Sequence, residues 1–164
     1  MAARKRKKTA KQQGPLRIVN RRARFEYTLL ERMEAGVQLV GSEVKSVRSG
    51  HATLVEGYIR LDSRTSEAWL ENVDIPPYPP AGPRNHTPRR ARKLLLHRRE
   101  IERLRGQLND PGTTLVPLDI HLVRDRIKVE IGLARGKRKV DKREDMKKRT
   151  AERDMRRAMT RKVL

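Results

Sequence analysis

Two acidic residues, Asp119 and Glu130, are the side chains whose type and placement could support chemistry. Alternating apolar residues around them predict two paired β-strands, and both carboxylates then fall on the same outward face. Carboxylates placed in this way could hold a divalent cation for a metal-assisted nuclease. Lys128 and His121 alternate with them, however, and an ordinary salt-bridged sheet surface explains the same pattern. We therefore assign no catalytic residue and keep a metal-dependent nuclease as the minor alternative.

Motifs of other reaction classes are missing from the sequence. It has no Gly-rich phosphate loop and no Ser, His and Asp set at a recognisable elbow. His86 has no second ligand at metal spacing, and the chain has no cysteine, so we interpret His86 as a residue that holds a loop in place. The sequence thus predicts a binding protein without enzyme activity, cofactor or bound metal.

The net charge of +21 indicates the class of partner. Residues 1–24 hold ten Lys or Arg and no acidic residue, and residues 135–164 hold fourteen against five, whereas residues 25–134 hold seventeen against fifteen. Two basic arms on a near-neutral domain attract polyanions, and nucleic acid is the leading candidate. A membrane surface is the competing polyanion, but neither arm has the Trp, Phe or Leu stripe that an interfacial helix requires.

Length and composition bound the class of protein further. A chain of 164 residues with 35% apolar residues suits one domain with a modest core. One Trp, three Tyr and one Phe are too few for a platform that stacks several bases, which disfavours sequence-specific reading of single strands. Without cysteine, a bilayer-spanning apolar run or a signal-peptide pattern, the chain is expected to be cytoplasmic.

The segment from Thr113 to Lys137 contains the clearest pair of strands. Apolar residues alternate along both halves, and a two-residue turn at Arg124-Asp125 lets every apolar side chain meet another across the ladder. The predicted pairs are Leu122 with Ile127, Ile120 with Val129, Leu118 with Ile131 and Val116 with Leu133. Arg-Asp is poor turn chemistry compared with Asn-Gly.

Shorter elements are predicted on both sides of a proline-rich crossover at residues 75–88, where prolines exclude a helix or a central strand. Before it we expect a strand from Phe25 to Val40 with a bulge or bend at Gly36, a helix from Ser42 to Ser49 capped by Ser42, and strands from Leu54 to Leu61 and from Ala68 to Val73. After it, Arg89 to Leu108 is expected to be mostly helical, although Leu94-Leu95-Leu96 could equally end an extended segment.

Both ends of the chain are predicted to be disordered basic arms. Residues 1–15 lack apolar periodicity. Residues 141–162 consist of good helix formers, but their apolar residues are too few to pack on a core alone. These apolar residues are Met146, Ala151, Met155, Ala158 and Met159. The tail, residues 136–164, should therefore be disordered when free and could become helical against a polyanion.

Six strings occur in one order along the chain: Asn20 to Tyr27, Glu34 to Gly36, Gly41 to Gly50, Arg92 to Leu96, Lys128 to Lys137 and Asp141 to Arg143. Any one of them is weak evidence, but together they resemble the small protein B (SmpB) family, the bacterial partners of transfer-messenger RNA. The resemblance implies a mainly β fold: an oligonucleotide-binding (OB)-like antiparallel β-barrel in residues 16–135 with about two to three helices beside it. The strands predicted above agree with this fold.

The resemblance also implies a role in the rescue of stalled ribosomes by trans-translation. Family members bind the tRNA-like domain of transfer-messenger RNA (tmRNA), deliver it to the ribosome, and lay their C-terminal tail in the vacant mRNA channel at the decoding centre of the small subunit. Residues 136–164 would then be helical when bound to the ribosome. Elongation factor Tu and alanyl-tRNA synthetase, which act on the same RNA, are indirect partners, and a monomer is expected.

Carried over by position, the family's RNA-binding residues are Glu34, Lys45, Leu95 and Lys128, with Asn20, Arg22, Arg24 and Lys93 as additions. Glu34 could accept a hydrogen bond from a base amino group or a 2′-hydroxyl, or orient a neighbouring arginine. Leu95 could offer an apolar face to a splayed base or ribose, with burial in the core as the alternative.

The family's ribosome-binding tail maps to Lys137, Arg138, Asp141, Lys142, Arg143, Lys148, Arg149 and Arg153. The chain has Val140 where many members carry an aromatic residue or histidine, and valine cannot stack on a base as a ring can. A ribosomal or initiation-factor-like barrel protein with basic arms is the main alternative, since it shares the composition and lacks only the six ordered strings.

Overall fold

The computed structural model describes residues 16–161, in which seven strands form one antiparallel sheet. The strands are β1 (Arg17–Val19), β2 (Tyr27–Val37), β3 (Tyr58–Asp62), β4 (Glu67–Glu71), β5 (Arg92–Leu95), β6 (Thr113–Val123) and β7 (Arg126–Gly136), in the order β1-β6-β7-β2-β5-β4-β3. The helices are α1 (Arg21–Glu26), α2 (Gly41–Arg48), α3 (Arg98–Leu108) and α4 (Lys139–Arg161), with a 3-10 segment at Pro79–Arg84. The mainly β class is confirmed.

The sheet is curled but not closed by hydrogen bonds. Within residues 16–161 the ladder ends at β1 on one side and at β3 on the other, so the closed barrel expected from the resemblance is replaced by an open sheet. Curling nevertheless brings β3 against β6, where the backbone of Gly57 lies next to Pro117. The enclosed space holds the main core, whose most deeply buried side chains include Leu70, Ile75, Leu94, Leu104, Leu115, Val129 and Ile131.

The β6–β7 hairpin forms with the predicted turn and half of the predicted register. Arg124 and Asp125 both adopt a positive φ, of 46° and 63°, as a two-residue hairpin turn requires. Leu122 pairs with Ile127 and Ile120 pairs with Val129, as expected, but a bulge between Pro117 and Asp119 shifts the remaining pairs. The predictions for Leu118 with Ile131 and Val116 with Leu133 are therefore wrong, because Pro117 has no N–H to donate and strands accommodate proline at bulges.

Several other boundaries differ from the predictions. β2 ends at Val37 instead of Val40, and β4 covers Glu67–Glu71 instead of Ala68 to Val73. Residues 21–26 form α1, capped by Asn20, so β2 starts only at Tyr27; its irregularity lies between Leu29 and Glu31 instead of at Gly36. Glu43, not Ser42, satisfies the start of α2 by accepting from the Val40 N–H at 2.8 Å. Residues 54–57 form a turn that delays β3 to Tyr58.

The region after the crossover resolves the alternative that the sequence left open. Residues 92–95 are a strand that pairs with both β2 and β4, and the helix begins only at Arg98. His86 fastens the crossover to the fold: its Nε2 lies 2.9 Å from the carbonyl of Ile75 and its Nδ1 lies 2.8 Å from the hydroxyl of Ser42. Because a carbonyl can only accept, Nε2 carries a proton, and the prediction of a loop-holding histidine is confirmed.

The basic tail is helical from Lys139 to Arg161 in the structure. Its start is joined to α1 through Lys137, whose N–H donates to the Glu26 carbonyl at 2.9 Å. Whether the tail is disordered when free and helical on the ribosome stays a prediction, and the predicted arm at residues 1–15 lies outside the described residues. None of the helices in the described part of the chain has the length and apolar content needed to cross a membrane.

Candidate RNA-binding surface

Gly36 lies at the centre of the predicted RNA-binding surface. It pairs with Lys128 of β7 on one side and with Leu95 of β5 on the other, so three strands place these residues in one row. A Cβ atom at Gly36 would lie 3.1 Å from the Cβ of Leu95, so the glycine leaves the space that the leucine occupies. Leu95 is 56% exposed, which excludes the alternative that it belongs to the core.

A groove of about 410 Å³ runs beside this row. Its walls include Leu39 of the β2–α2 connection and Val44 of α2, with Leu95 and Lys128 at the rim. Lys45 extends from the same helix and its Nζ lies 5.4 Å from the centre of the Tyr78 ring, within the range of a cation–π contact. The groove therefore combines an apolar lining with Lys128, and Lys45 lies on the adjacent helix, which together give a chemistry suited to a base or ribose flanked by phosphates.

Two basic side chains, Lys128 and His121, contact the carboxylate of Glu34. Lys128 Nζ donates to its Oε1 at 2.5 Å, and Nε2 of His121 lies 2.9 Å from its Oε2. These hydrogen bonds, from Lys128 first and His121 second, lower the pKa of Glu34, so the side chain is an anion at neutral pH. Sequence reasoning missed His121 as a member of this surface, although its even spacing from Asp119 along β6 already placed the two on one face.

Four further residues line the continuation of this surface across β1, β2, β6 and β7: Arg17, Arg32, His121 and Glu130 surround a cavity of about 500 Å³ together with Glu34. Arg17 donates to Asp119 at 2.7 Å and to Glu130 at 3.4 Å. Sequence reasoning also missed Arg17 and Arg32, because β1 and β2 are distant from β6 in the chain and only the sheet order brings them together.

Asp119 and Glu130 face each other on the β6–β7 ladder and belong to an ion-pair network. Burial raises the pKa of Asp119, but hydrogen bonds with Glu130, Arg17 and His121 outweigh it and lower that pKa, while burial and Asp119 together raise the pKa of Glu130. Asp119 is wholly buried and its oxygens are already bound by Arg17 and His121. Asp119 and Glu130 are therefore salt-bridged residues of the sheet, which was the alternative to a metal site, although Asp119 is buried and not at the surface.

Glu43 fixes α2, and hence Lys45, to the sheet. Its carboxylate accepts from Arg90 at 2.6 Å and from Arg92 at 2.8 Å. Burial raises the pKa of Glu43, but the hydrogen bonds from Arg90, the Val40 backbone and Arg92 outweigh it and lower the pKa. Lys45 is thus carried by a helix with a buried, charged anchor.

Asn20 has a different environment from the one the resemblance implied. Its side chain is 2% exposed; Oδ1 accepts from the Ala23 N–H at 3.1 Å and Nδ2 donates to the carbonyls of Leu54 and Pro117 at 3.0 Å. The structure thus uses every side-chain hydrogen of Asn20 inside the fold.

The remaining predicted residues fall in two other places. Arg22 and Arg24 are exposed on α1, at the start of β2, whereas Glu34 and Gly36 lie near its end, so the structure does not bring the two groups together. Lys93 lies on the same face as Leu95 and forms an ion pair with Glu67.

The predicted tail residues, Lys137, Arg138, Asp141, Lys142, Arg143, Lys148, Arg149 and Arg153, lie at the start of α4 or along it. Asp141, in the first turn of α4, accepts from the backbone N–H of Arg138, which precedes the helix, at 3.2 Å. Arg143 and Arg153 are exposed, and Val140 is 64% exposed. The helix thus presents basic side chains and one apolar residue near its start to solvent.

Comparison with known proteins identifies relatives along most of the chain. The family model described as SmpB protein matches residues 17–161. The SsrA-binding protein of Gloeothece citriformis is 52% identical over 153 residues, covering 92% of this chain and 97% of that protein. The SsrA-binding protein of Thermobifida fusca is 50% identical over 158 residues, covering 96% and 98%.

A third relative and a solved structure agree with these. The SsrA-binding protein of Corynebacterium efficiens is 46% identical over 159 residues, covering 97% of this chain and 96% of that protein. A chain from the structure described as "tmRNA-SmpB: a journey to the center of the bacterial ribosome" is 45% identical with a TM-score of 0.64, covering 79% of this chain and 93% of that chain. The protein described here therefore belongs to the SmpB family.

Proposed function

We propose that this protein binds tmRNA, the SsrA RNA, and acts with the ribosome in trans-translation, and that the outer face of β7, β2 and β5 together with α2 forms its RNA-binding surface. One observation carries the proposal of this surface. Lys128 and Leu95 lie far apart in the sequence, but both pair with Gly36, so they share one exposed face with Glu34. The family is one of RNA-binding proteins without enzymatic activity, so the role of these residues is recognition.

Each side chain of the surface contributes a distinct kind of contact to this proposal. Lys128 and Lys45 neutralise phosphates, Leu95 packs against a base or ribose, and Glu34 accepts from a base amino group or a 2′-hydroxyl. Lys93 adds a cation on the same face as Leu95, Arg22 and Arg24 form a separate basic site on α1, and Asn20 acts indirectly by holding α1 in position. The open, curled sheet would serve as OB-like sheets do, by presenting one strand face to a folded RNA.

The RNA element proposed for this surface is the tRNA-like domain of tmRNA. The basic helix α4 then enters the vacant mRNA channel of the small subunit and reaches the decoding centre, where its charge pairs with ribosomal RNA. Elongation factor Tu and alanyl-tRNA synthetase, which act on the same RNA, are indirect partners in this proposal. We expect the protein to work as a monomer in the cytoplasm.

The test is a competition between the tRNA-like domain of tmRNA and bulk tRNA for the full-length protein at near-physiological salt. A net charge of +21 makes some binding to any RNA inevitable, so the affinity ratio carries the information. We expect a preference of at least about tenfold, roughly 1.4 kcal/mol, for the tRNA-like domain. Equal affinities would show that the arms do the binding and would favour the ribosomal-protein-like alternative.

Single substitutions then locate the surface. Lys128→Ala and Lys45→Ala should each weaken binding and reduce the salt dependence by about one unit of slope for a lost phosphate contact. Arg60→Ala is the matched control, because Arg60 is an exposed cation on β3 that pairs with Glu71. Unchanged salt slopes for both lysine variants would reject this surface while leaving the family assignment intact.

A further inference from the structure

We propose that His121 is a positioning residue for RNA recognition: a doubly protonated imidazole that joins Glu34 to the buried Asp119 and holds the Glu34 carboxylate in place for RNA. The inference rests on the proposed function, because it assigns a role to a neighbour of the proposed RNA-binding residue Glu34. Its basis is that Nδ1 of His121 lies 2.7 Å from Asp119 Oδ1 and Nε2 lies 2.9 Å from Glu34 Oε2.

Both contacts require a hydrogen on the ring nitrogen concerned. An ionised carboxylate can only accept, so a neutral imidazole would turn one lone pair toward a carboxylate oxygen and lose that contact. The imidazolium satisfies both. Burial lowers the pKa of His121, but the hydrogen bonds and charges of Glu34 and Asp119 outweigh burial and raise it, which agrees with the geometry.

The charges around His121 come from four strands. Asp119 lies on its own strand, β6, Glu34 and Arg32 on β2, Lys128 and Glu130 on β7, and Arg17 on β1. Arg17 and His121 approach different oxygens of Asp119, Oδ2 and Oδ1, so they do not compete for the same atom. Asp119 is therefore a fixed, buried anion. A protonated His121, hydrogen-bonded to both carboxylates, holds Glu34 in a fixed position relative to Asp119.

Glu34 remains able to bind RNA while it is held in this way. A carboxylate offers about four lone-pair sites, and His121 and Lys128 each approach one of its two oxygens. Since Glu34 is 40% exposed, its unused lone pairs reach solvent. A deprotonated His121 has one N–H and can donate to Asp119 or to Glu34 but not to both, so Glu34 is no longer joined to the buried Asp119 and the orientation of its carboxylate is lost.

The test measures affinity for the tRNA-like domain of tmRNA as a function of pH for the full-length protein and His121→Gln. We expect wild-type affinity to fall about fivefold as the pH rises from below 6.5 through the raised pKa of His121, since one charge-assisted contact is lost. His121→Gln should bind about fivefold more weakly at low pH and show no such fall. His51→Gln is the matched control, because His51 is an exposed histidine outside the cavity and should behave as wild type.

Identical pH profiles for wild type and His121→Gln would overturn the proposal. NMR titration of the imidazole in the free protein gives a second test that needs no RNA: the His121 signals should titrate above the ordinary range, and Glu34→Gln should shift the titration to lower pH. Titration of His121 unaffected by Glu34→Gln would also overturn it. If Lys128→Ala and Lys45→Ala both leave RNA affinity and its salt dependence unchanged, the proposed surface itself fails; if they weaken binding and His121→Gln does not, only the role of His121 fails.

Discussion

The guanidinium of Arg92 donates to the carboxylate of Glu43 at 2.8 Å, and neither side chain reaches solvent. Arg92 also donates to the carbonyls of Val73 and Pro88 at 2.7 Å each. One buried arginine thus joins the crossover and the residues just after β4 to α2, the helix that carries Val44 of the groove beside Gly36.

Removing this arginine should destabilise the whole domain. Arg92→Met leaves the buried Glu43 charge with one cation, Arg90, and the Val40 N–H, and we expect the free energy of unfolding to fall by about 3–5 kcal/mol. Urea denaturation followed by circular dichroism measures the change. Arg60→Ala, which removes the exposed Arg60–Glu71 pair, should shift the free energy by no more than about 0.5 kcal/mol. An Arg92→Met protein as stable as the control would contradict the role of Arg92 as an anchor.

Substitution of Asn20 separates a structural role from direct RNA contact. Asn20→Ala removes the cap of α1 and two hydrogen bonds to buried carbonyls, which should cost about 2–3 kcal/mol of stability. Asn20→Asp keeps the acceptor for the Ala23 N–H and should retain the cap alone. Chemical denaturation of the two variants gives the comparison, and full stability of Asn20→Ala with lost RNA binding would identify a direct contact instead.

The β6–β7 turn leaves room for stabilisation. Arg124 and Asp125 both occupy the left-handed region, which residues other than glycine and asparagine reach at a cost. Arg124→Asn combined with Asp125→Gly should raise the free energy of unfolding by about 1 kcal/mol. The contact from Arg48 to this turn uses the Asp125 carbonyl, which the double variant retains. A lower melting temperature in calorimetry would contradict this reading of the turn.

Two glycines should respond to alanine in opposite directions. At Gly57 a Cβ would lie 2.6 Å from Cγ2 of Val73 and 3.0 Å from Cγ of Pro117, so Gly57→Ala should cost about 1–3 kcal/mol. Gly106 lies inside α3, where its would-be Cβ meets no heavy atom within 4 Å apart from the neighbouring residues and backbone of its own helix, and Gly106→Ala should gain about 0.5–1 kcal/mol. Thermal unfolding of the two single variants tests the pair, and equal shifts would show that the close approach of β3 to β6 is softer than the structure indicates.

Truncation after Gly136 tests the division between the sheet and the tail. The sheet and α2 remain complete in the truncated protein. At raised salt, where the charge lost with the tail contributes little to binding, its affinity for the tRNA-like domain of tmRNA should stay within about threefold of the full-length value. Tagging of nascent chains on stalled ribosomes in a reconstituted translation system should be abolished, because α4 is the proposed ribosome-binding element. Loss of RNA binding by the truncated protein would refute this division.

Local patterns in the sequence determined the elements with the strongest periodicity. The alternation around Arg124-Asp125 predicted the β6–β7 hairpin and its register as far as Ile120, because side chains in a strand must alternate between faces. Ser42 to Ser49 predicted α2 within one residue. The charge distribution indicated a polyanionic partner, and six ordered strings indicated the family that the comparisons then showed.

Tertiary structure decided what depends on contacts between distant segments. The bulge at Pro117, the strand at residues 92–95 and the open edge of the sheet follow from which neighbours each segment finds, which local propensity does not specify. Contacts between distant segments also decide which side chains are buried. Asn20 is buried against Leu54 and Pro117, whereas Leu95, which pairs with Gly36, stays exposed. The joining of Glu34, His121 and Asp119 requires β2 and β6 to lie on either side of β7, and only the folded sheet brings together residues 87 positions apart.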